Sequence, residues 1–162
     1  MSGENVPLID KETIYISDKM TLQAVFEEIS QQLIVADLVT KDFFEHVLER
    51  EKEFPTGMDL SVVNPELPNI AVPHTEAEFV KVRRIIPVKL THQIKFHNMI
   101  QPQEVLDAQF LFIILNNDPA GQANILAQIM NFIATTDTEV LKTVLQSENE
   151  DEIYTILSKG IK

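Results

Sequence analysis

The side chains most suited to chemistry in this sequence are four histidines, and one of them directly follows a proline. They are His46, His74, His92 and His97. His74 follows the apolar run of residues 70–72 and Pro73, whose fixed φ restricts the backbone just before the imidazole. Reactive groups are commonly displayed where the strands of an α/β sheet end. On spacing alone, His74 is either a reactive imidazole or an ordinary structural histidine.

Other patterns of reactive residues are missing from the sequence. It has no cysteine and only four glycines, and it contains neither a Gly-rich phosphate loop nor a nucleophile elbow. His74, Glu76 and Glu78 are the nearest approach to a set of metal ligands, and they lack a fourth group. We therefore expect no metal and no cofactor. A small hydrolase or metal-binding domain that uses these three residues remains an alternative.

The net charge restricts the partners of the protein. Thirteen Lys and Arg against 25 Asp and Glu give −12, which repels nucleic acids and anionic lipids and attracts a basic protein. The same acidity could serve solubility alone. The chain starts without a secretory pattern, and its longest apolar stretch, residues 110–115, is far below the roughly 18 residues of a spanning helix. We expect a single cytoplasmic domain over residues 1–162, with no nucleic-acid binding and no membrane insertion.

Two helices are predicted before the segment that contains His74. Ser17 or Asp18 caps the first, which runs to about Ala36 with apolar residues at helical spacing. Thr40 is a good N-cap for the second helix, and Pro55 limits how far that helix extends. A loop with several prolines then leads to the short apolar run before His74.

The middle of the chain is predicted to form strands. Residues 84–90 resemble a strand, and Pro87 places it at a sheet edge or at a bulge because proline cannot donate to a ladder. Residues 93–96 form a further short strand. The nearly continuous apolar run within residues 105–115 predicts a central strand that is buried on both faces.

The last third of the chain is predicted to be helical. Helix starts are indicated by Pro119, by Asp137 and by a capping box of Ser147 with Glu150, and Gly160 suits a C-terminal cap. Helices, then strands, then helices predict an α/β layer fold with a mixed sheet. The order of the strands does not follow from these patterns.

Two segments of the sequence resemble a known family. Residues 69–75, NIAVPHT, and residues 49–57, EREKEFPTG, are similar to two motifs of the fructose/mannitol-type IIA components of the phosphoenolpyruvate-dependent sugar phosphotransferase system. Together they look most like the galactitol-specific branch. The resemblance extends over nearly the whole chain, and it implies a mixed sheet flanked by helices on both faces.

The resemblance implies a role for His74 and for Arg50. His74 matches the histidine that accepts a phosphoryl group from phospho-HPr and donates it to the IIB component of a sugar permease. Relatives use the ring nitrogen distal to the backbone. Arg50 matches the active-site arginine, whose guanidinium fits phosphate oxygens. Without the family, Arg50 would be read as a solvated residue paired with Glu49, Glu53 or Asp59.

Three further residues are candidates for the site. Many members have a second histidine where this chain has Gln122, which weakens a two-histidine mechanism. The Gln122 amide could bind phosphate oxygens or fix the histidine tautomer, or it could be an ordinary surface group. Thr56 is a hydroxyl partner or a turn residue. Thr75 could offer a hydroxyl or an amide to the imidazole or to a bound anion.

Two questions about partners stay open at this stage. An apolar rim would suit docking of HPr, and its candidates, each also a plausible core residue, are Phe54, Met58, Phe79 and Met99. A regulatory IIA homologue, which signals by its phosphorylation state instead of feeding a permease, would carry the same motifs. The sequence also leaves the transported sugar and the oligomeric state undefined.

Overall fold

The computed structural model describes residues 7–120 and 122–161, and for residues 122 and 123 it describes the backbone only. The strands are Tyr15–Ser17 (β1), Gly57–Met58 (β2), Asn69–Ala71 (β3), Arg84–His97 (β4) and Val105–Leu115 (β5). The helices are Leu22–Val35 (α1), Phe43–Glu53 (α2), Gln122–Thr135 (α3), Thr138–Gln146 (α4) and Glu150–Gly160 (α5). None of the described helices is long and apolar enough to span a membrane.

The strands form one mixed sheet in the order β1-β4-β5-β3-β2. β5 lies in the middle, antiparallel to β4 and parallel to β3. From Phe110 to Leu115 every β5 side chain is buried, which confirms the predicted central strand. A strand covered on both faces needs apolar residues at successive positions, whereas a half-exposed strand needs only alternate ones.

Helices cover both faces of the sheet, and β5 side chains alternate between them. Phe110, Phe112 and Ile114 pack in one apolar cluster, which also contains residues of α3, α4 and α5. Leu111 and Ile113 pack in the other, which contains residues of α1 and α2. The predicted α/β fold with helices on both faces is therefore confirmed.

Of the two alternatives predicted for Pro87, a sheet edge or a bulge, the sheet edge is wrong. β4 is a single interior strand that includes the separately predicted residues 93–96, with an irregular register between Lys89 and Ile94. The Ile85 N–H donates to Leu8 O at 2.8 Å, on the side away from β5. Backbone N–H groups alternate sides along a strand, so the Pro87 nitrogen also faces away from β5. The β1 register starts only at Val88, and proline therefore costs the main ladder no hydrogen bond.

The two N-terminal helices begin later than predicted. The N-cap of α1 is Thr21, whose hydroxyl accepts from Ala24 N at 3.1 Å, because the Ser17 hydroxyl is already engaged with Glu28. Thr40 does not cap α2. Its backbone N–H donates to Phe79 O at 3.0 Å, and α2 begins at Phe43 after Asp42.

The C-terminal predictions are partly confirmed. Asp137 is the N-cap of α4, as predicted, whereas α3 begins at Gln122 and not at Pro119. Asn149 caps α5 in place of Ser147, whose hydroxyl donates instead to the Glu152 carboxylate at 2.6 Å. Gly160 is the last residue of α5 and has no positive φ, so its predicted capping role is wrong.

Candidate functional site

The site is built where β3 ends beside the central strand. β3 delivers the chain to Pro73, whose carbonyl accepts from Ile114 N at 2.9 Å. This places His74 opposite Ile114 in an isolated parallel bridge. Since Ile114 lies in the best-buried part of β5, the backbone around His74 has a rigid support on the sheet.

One hydrogen bond orients the His74 imidazole. Nδ1 lies 3.0 Å from Val72 O, and a carbonyl oxygen can only accept, so the proton must be on Nδ1. In the neutral ring, Nε2 then keeps its lone pair, and Nε2 is the nitrogen distal to the backbone. Burial lowers the pKa of His74, the Val72 carbonyl opposes this, and the Arg50 guanidinium adds to it. The imidazole is thus held neutral and nucleophilic near pH 7.

Arg50 reaches the site from the last turns of α2. Its Nη1 is 2.9 Å from Glu76 Oε2, and its guanidinium carbon lies 5.0 Å from the centroid of the Phe54 ring. Arg50 therefore pairs with Glu76, two positions after His74. Its partner is none of Glu49, Glu53 and Asp59, which were the candidates without the family resemblance. The structure brings Arg50 and His74 together, close enough for the guanidinium to lower the pKa of the imidazole.

Thr56 is buried and turned away from solvent. Its N–H and its hydroxyl both engage the Glu51 carboxylate, at 2.8 and 2.7 Å. Its carbonyl accepts from Val72 N at 3.2 Å, so Thr56 holds the backbone that in turn holds His74. The Thr56 hydroxyl is therefore engaged with Glu51, and Thr56 lies directly before β2.

Sequence reasoning missed Glu51, which is only 6% exposed. Burial raises the pKa of its carboxyl to about 7, against the lowering effect of the two Thr56 hydrogen bonds. A signal was present in the sequence: Phe43, Val47 and Glu51 are spaced by four, so Glu51 continues the buried stripe of α2.

The remaining candidates stand differently in the structure. Thr75 is buried, and its hydroxyl donates to Glu76 O at 2.9 Å. Gln122 opens α3, but its side chain lies outside the described part of the chain. Of the rim candidates, Phe54 is 59% exposed, whereas Met58, Phe79 and Met99 are partly buried against the two apolar clusters.

His46 lies outside the two motifs, yet it lies at this site. Its ring stacks on Phe79 with 3.7 Å between centroids, and its proximity contributes to lowering the pKa of Glu76. His46 and Arg50 are one helical turn apart on α2. Two residues of α2, His46 and Arg50, therefore lie near the Glu76 carboxylate.

The alternative metal site finds no support in the geometry. Within residues 7–120 and 122–161, no group of three His, Asp or Glu side chains is arranged to hold a metal ion. Glu76 instead engages Arg50. What the residues do provide is a neutral imidazole nitrogen beside a guanidinium, an arrangement suited to accepting a phosphoryl group.

A family comparison agrees with this chemistry. The sequence model of the phosphoenolpyruvate-dependent sugar phosphotransferase system EIIA 2 family matches residues 7–160. The chain belongs to this family. It is thus a IIA-type phosphotransferase component, as the two motifs predicted. A search of the curated proteins gave no match.

Solved structures show the same fold as this EIIA chain. IIA mannitol from Escherichia coli is 20% identical, with a TM-score of 0.71 over 92% of this chain and 98% of that chain. Enzyme IIA for mannitol, in its complex with phosphorylated enzyme IIB from Escherichia coli, is 18% identical, with a TM-score of 0.71 over 93% and 97%. Nitrogen regulatory protein IIA-Ntr from Neisseria meningitidis is 17% identical, with a TM-score of 0.63 over 93% and 96%.

Proposed function

We propose that this EIIA chain is a phosphoryl carrier that accepts phosphate from phospho-HPr on His74 and donates it to a IIB component. The observation that carries the proposal is the hydrogen bond from His74 Nδ1 to Val72 O, 3.0 Å long, which leaves Nε2 as the nucleophile. We place the protein in the cytoplasm, where it works without a cofactor.

The transfer needs little covalent work from other side chains. The Nε2 lone pair attacks phosphorus while the N–P bond of the donor breaks, and that electron pair returns to the donor nitrogen. The proton stays on Nδ1 throughout, and its hydrogen bond to Val72 O is kept. Arg50 supplies a fixed positive charge and planar donors for the phosphoryl oxygens, which is the electrostatic part of phosphoryl transfer.

The downstream step is transfer to a IIB protein for uptake of galactitol or a related sugar. The IIB partner is supported by the fold shared with the mannitol IIA in a complex with phosphorylated IIB. The sugar class is supported by the EREKEFPTG and NIAVPHT motifs, which look most like the galactitol branch. A IIA component contacts proteins and not sugar, so the sugar itself must be found through the IIB.

The first test is phosphorylation in vitro by phosphoenolpyruvate, Enzyme I and HPr, followed by intact mass. We expect the wild-type chain to gain one acid-labile phosphate and His74→Gln to gain none. The matched control is His92→Gln, which changes an exposed histidine of β4 and should be phosphorylated normally. A phosphorylated His74→Gln, or an unmodified wild-type chain with active Enzyme I and HPr, contradicts the proposal.

A regulatory homologue is the second candidate function. It is favoured by the fold shared with nitrogen regulatory protein IIA-Ntr. The discriminating measurement is phosphoryl transfer from the phosphorylated chain to purified IIB proteins of galactitol-type permeases. Rapid transfer supports the carrier for transport, whereas a phosphorylated chain that gives phosphate to no such IIB supports the regulatory function.

A further inference from the structure

Glu76 forms an ion pair with Arg50, the residue whose guanidinium the proposed carrier needs to bind phosphate. It lies two residues after His74, and its Oε2 is 2.9 Å from Arg50 Nη1. The two side chains are 49% and 32% exposed, so an incoming phosphoryl group has access to both. The ion pair therefore lies next to His74 and is accessible to solvent.

A carboxylate in this position competes with a phosphoryl group. Both are anions that take N–H donors from the same guanidinium. The backbone N–H of Glu76, and then Arg50 and His46, lower the pKa of its carboxyl, so Glu76 is ionised near pH 7. Within the described part of the chain, Arg50 Nε is buried without a hydrogen-bond partner, so Arg50 also retains unused donor capacity.

We propose that Glu76 is a positioning residue that holds Arg50 in the unphosphorylated state and disfavours phosphate on His74, so that phosphate is passed on more readily. This inference rests on the proposed carrier function. As the N–P bond forms at His74 Nε2 and the donor N–P bond breaks, Arg50 Nη1 exchanges the Glu76 carboxylate for a phosphoryl oxygen. When phosphate leaves, Glu76 recovers Arg50. Glu76 itself makes and breaks no covalent bond.

The size of the effect follows from the exposure of the pair. Ion pairs that are open to water contribute small free energies, which correspond to a change of about fivefold in an equilibrium constant. Salt should reduce the effect, because charges at the surface are screened. A shift of this size is measurable when phosphorylation is allowed to reach equilibrium with HPr.

The experiment measures the equilibrium distribution of phosphate between HPr and the chain by intact mass. Glu76→Gln removes the carboxylate charge and keeps the shape of the side chain. We expect it to shift the distribution about fivefold toward phospho-His74, and to lose much of that shift at high salt. The matched control is Glu78→Gln, which makes the same charge change two residues away at an exposed position. We expect it to leave the distribution unchanged.

A double-mutant cycle separates action through Arg50 from simple repulsion of phosphate. In an Arg50→Gln background, Glu76→Gln should change the distribution by less than about twofold, since the guanidinium that Glu76 holds is gone. If the change remains fivefold there, Glu76 repels phosphate directly and the proposed exchange on Arg50 is wrong.

The remaining outcomes separate this inference from the proposed function. An unchanged distribution for Glu76→Gln, or an equal shift for Glu78→Gln, overturns the role of Glu76 while phosphorylation of His74 stands. A wild-type chain that takes no phosphate on His74 overturns both. Because Glu76 lies at the surface, the Gln variant should fold normally, which an unchanged melting temperature would verify.

Discussion

At the residue scale, His74 combines two properties that depend on its surroundings. The Val72 carbonyl fixes which nitrogen carries the proton, and burial with the nearby Arg50 disfavours the charged ring. Together they present one neutral, nucleophilic nitrogen to a donor. The motifs predict the residue and the resemblance implies the distal nitrogen, and the position of the Val72 carbonyl supplies a physical reason for that nitrogen.

The pH dependence of His74 is the first prediction at this scale. Because burial lowers its pKa, the imidazole should titrate below the ordinary value of about 6.5. Below that lowered pKa, Nε2 is protonated and cannot accept phosphate. A titration of ¹⁵N-labelled histidine by NMR, assigned with His74→Gln, would show both the pKa and the proton on Nδ1. An inflection at or above 6.5, or a proton on Nε2 alone, would contradict it.

Arg50 gives a second prediction. Arg50→Gln should slow phosphorylation of His74 by phospho-HPr about 100-fold, the usual effect of removing one preorganised donor from a charged transition state. Arg83→Gln is the control, because it removes the same charge from a half-buried position outside the site. Single-turnover kinetics would measure both. Equal rates for the Arg50 variant and the wild-type chain would exclude the guanidinium from the transfer step.

Sequence reasoning reached some residues of the site and not others. The motifs indicated His74 and Arg50, and the structure places them together. The sequence patterns did not indicate that Glu51 is buried or that Glu76 is the partner of Arg50. Both are acidic residues in a chain with many acidic residues, so their type alone carries no information. Glu76 joins Arg50 across 26 positions, and such pairing depends on tertiary structure.

At the element scale, the buried Glu51 connects α2 to the loop before β2. Its carboxylate binds the Thr56 N–H and hydroxyl, and Thr56 O accepts from Val72 N. α2 therefore carries two adjacent residues with separate tasks. Arg50 lies at the site, and Glu51, through Thr56, holds the backbone at Val72, two residues before His74. Gly57 extends this close packing, since a Cβ there would lie 2.6 Å from His97 O.

Glu51 should make stability depend on pH. Burial raises the pKa of its carboxyl from 4.5 to about 7, so between these values the folded chain binds a proton that the unfolded chain does not. The contribution of Glu51 to the free energy of unfolding is fully present below about pH 4.5 and is lost as pH rises through about 7. The total loss is up to about 3 kcal/mol. Glu51→Gln should flatten this loss, because its amide stays neutral and still has a donor and an acceptor for Thr56.

Urea unfolding at several pH values from about 5 to about 8 would measure this contribution. Glu49→Gln is the matched control, since it makes the same change at an exposed neighbouring position of α2. The free energy of unfolding of the control should follow the wild-type pH profile. If Glu51→Gln also follows that profile, its carboxyl is not protonated in the folded chain.

Gly160 provides a prediction about the packing of α5 on α3. Alanine normally stabilises a helix relative to glycine by up to about 1 kcal/mol. Here a Cβ would lie 2.3 Å from a ring carbon of Phe132, which is 2% exposed. Gly160→Ala should therefore destabilise the fold, by about 1–3 kcal/mol. Thermal unfolding would show this against Lys159→Ala, an exposed control, and a rise in melting temperature would contradict it.

The elements show why sheet position is harder to predict than strand identity. The composition of β5 required burial on both faces, and the central position followed. In β4, Pro87 indicated an edge because the sequence does not state which side its nitrogen faces. The N-caps of α1 and α5 shifted for a related reason: Ser17 and Ser147 were plausible caps, but tertiary contacts with Glu28 and Glu152 engage their hydroxyls.

At the scale of the whole molecule, charge is distributed in a way that bears on the proposed partner. The net charge is −12. Glu45, Glu49 and Glu53 are all exposed and repeat every four residues, which places an acidic stripe along α2, the helix that carries Arg50. A basic protein that approaches His74 would be attracted by both the total charge and this stripe.

The salt dependence of phosphoryl transfer tests this steering. The second-order rate constant for phosphorylation by phospho-HPr should fall about 10-fold between about 50 mM and about 500 mM salt, because screening weakens attraction before contact. Phosphoramidate, a small anionic phosphodonor, is the control, and its rate should not fall, since an acidic surface does not attract an anion. The triple variant E45Q/E49Q/E53Q should show a smaller salt effect with phospho-HPr. A rate that is insensitive to salt would mean that the acidic surface has no part in recognising the donor, and that docking depends on apolar contacts such as the exposed Phe54 ring.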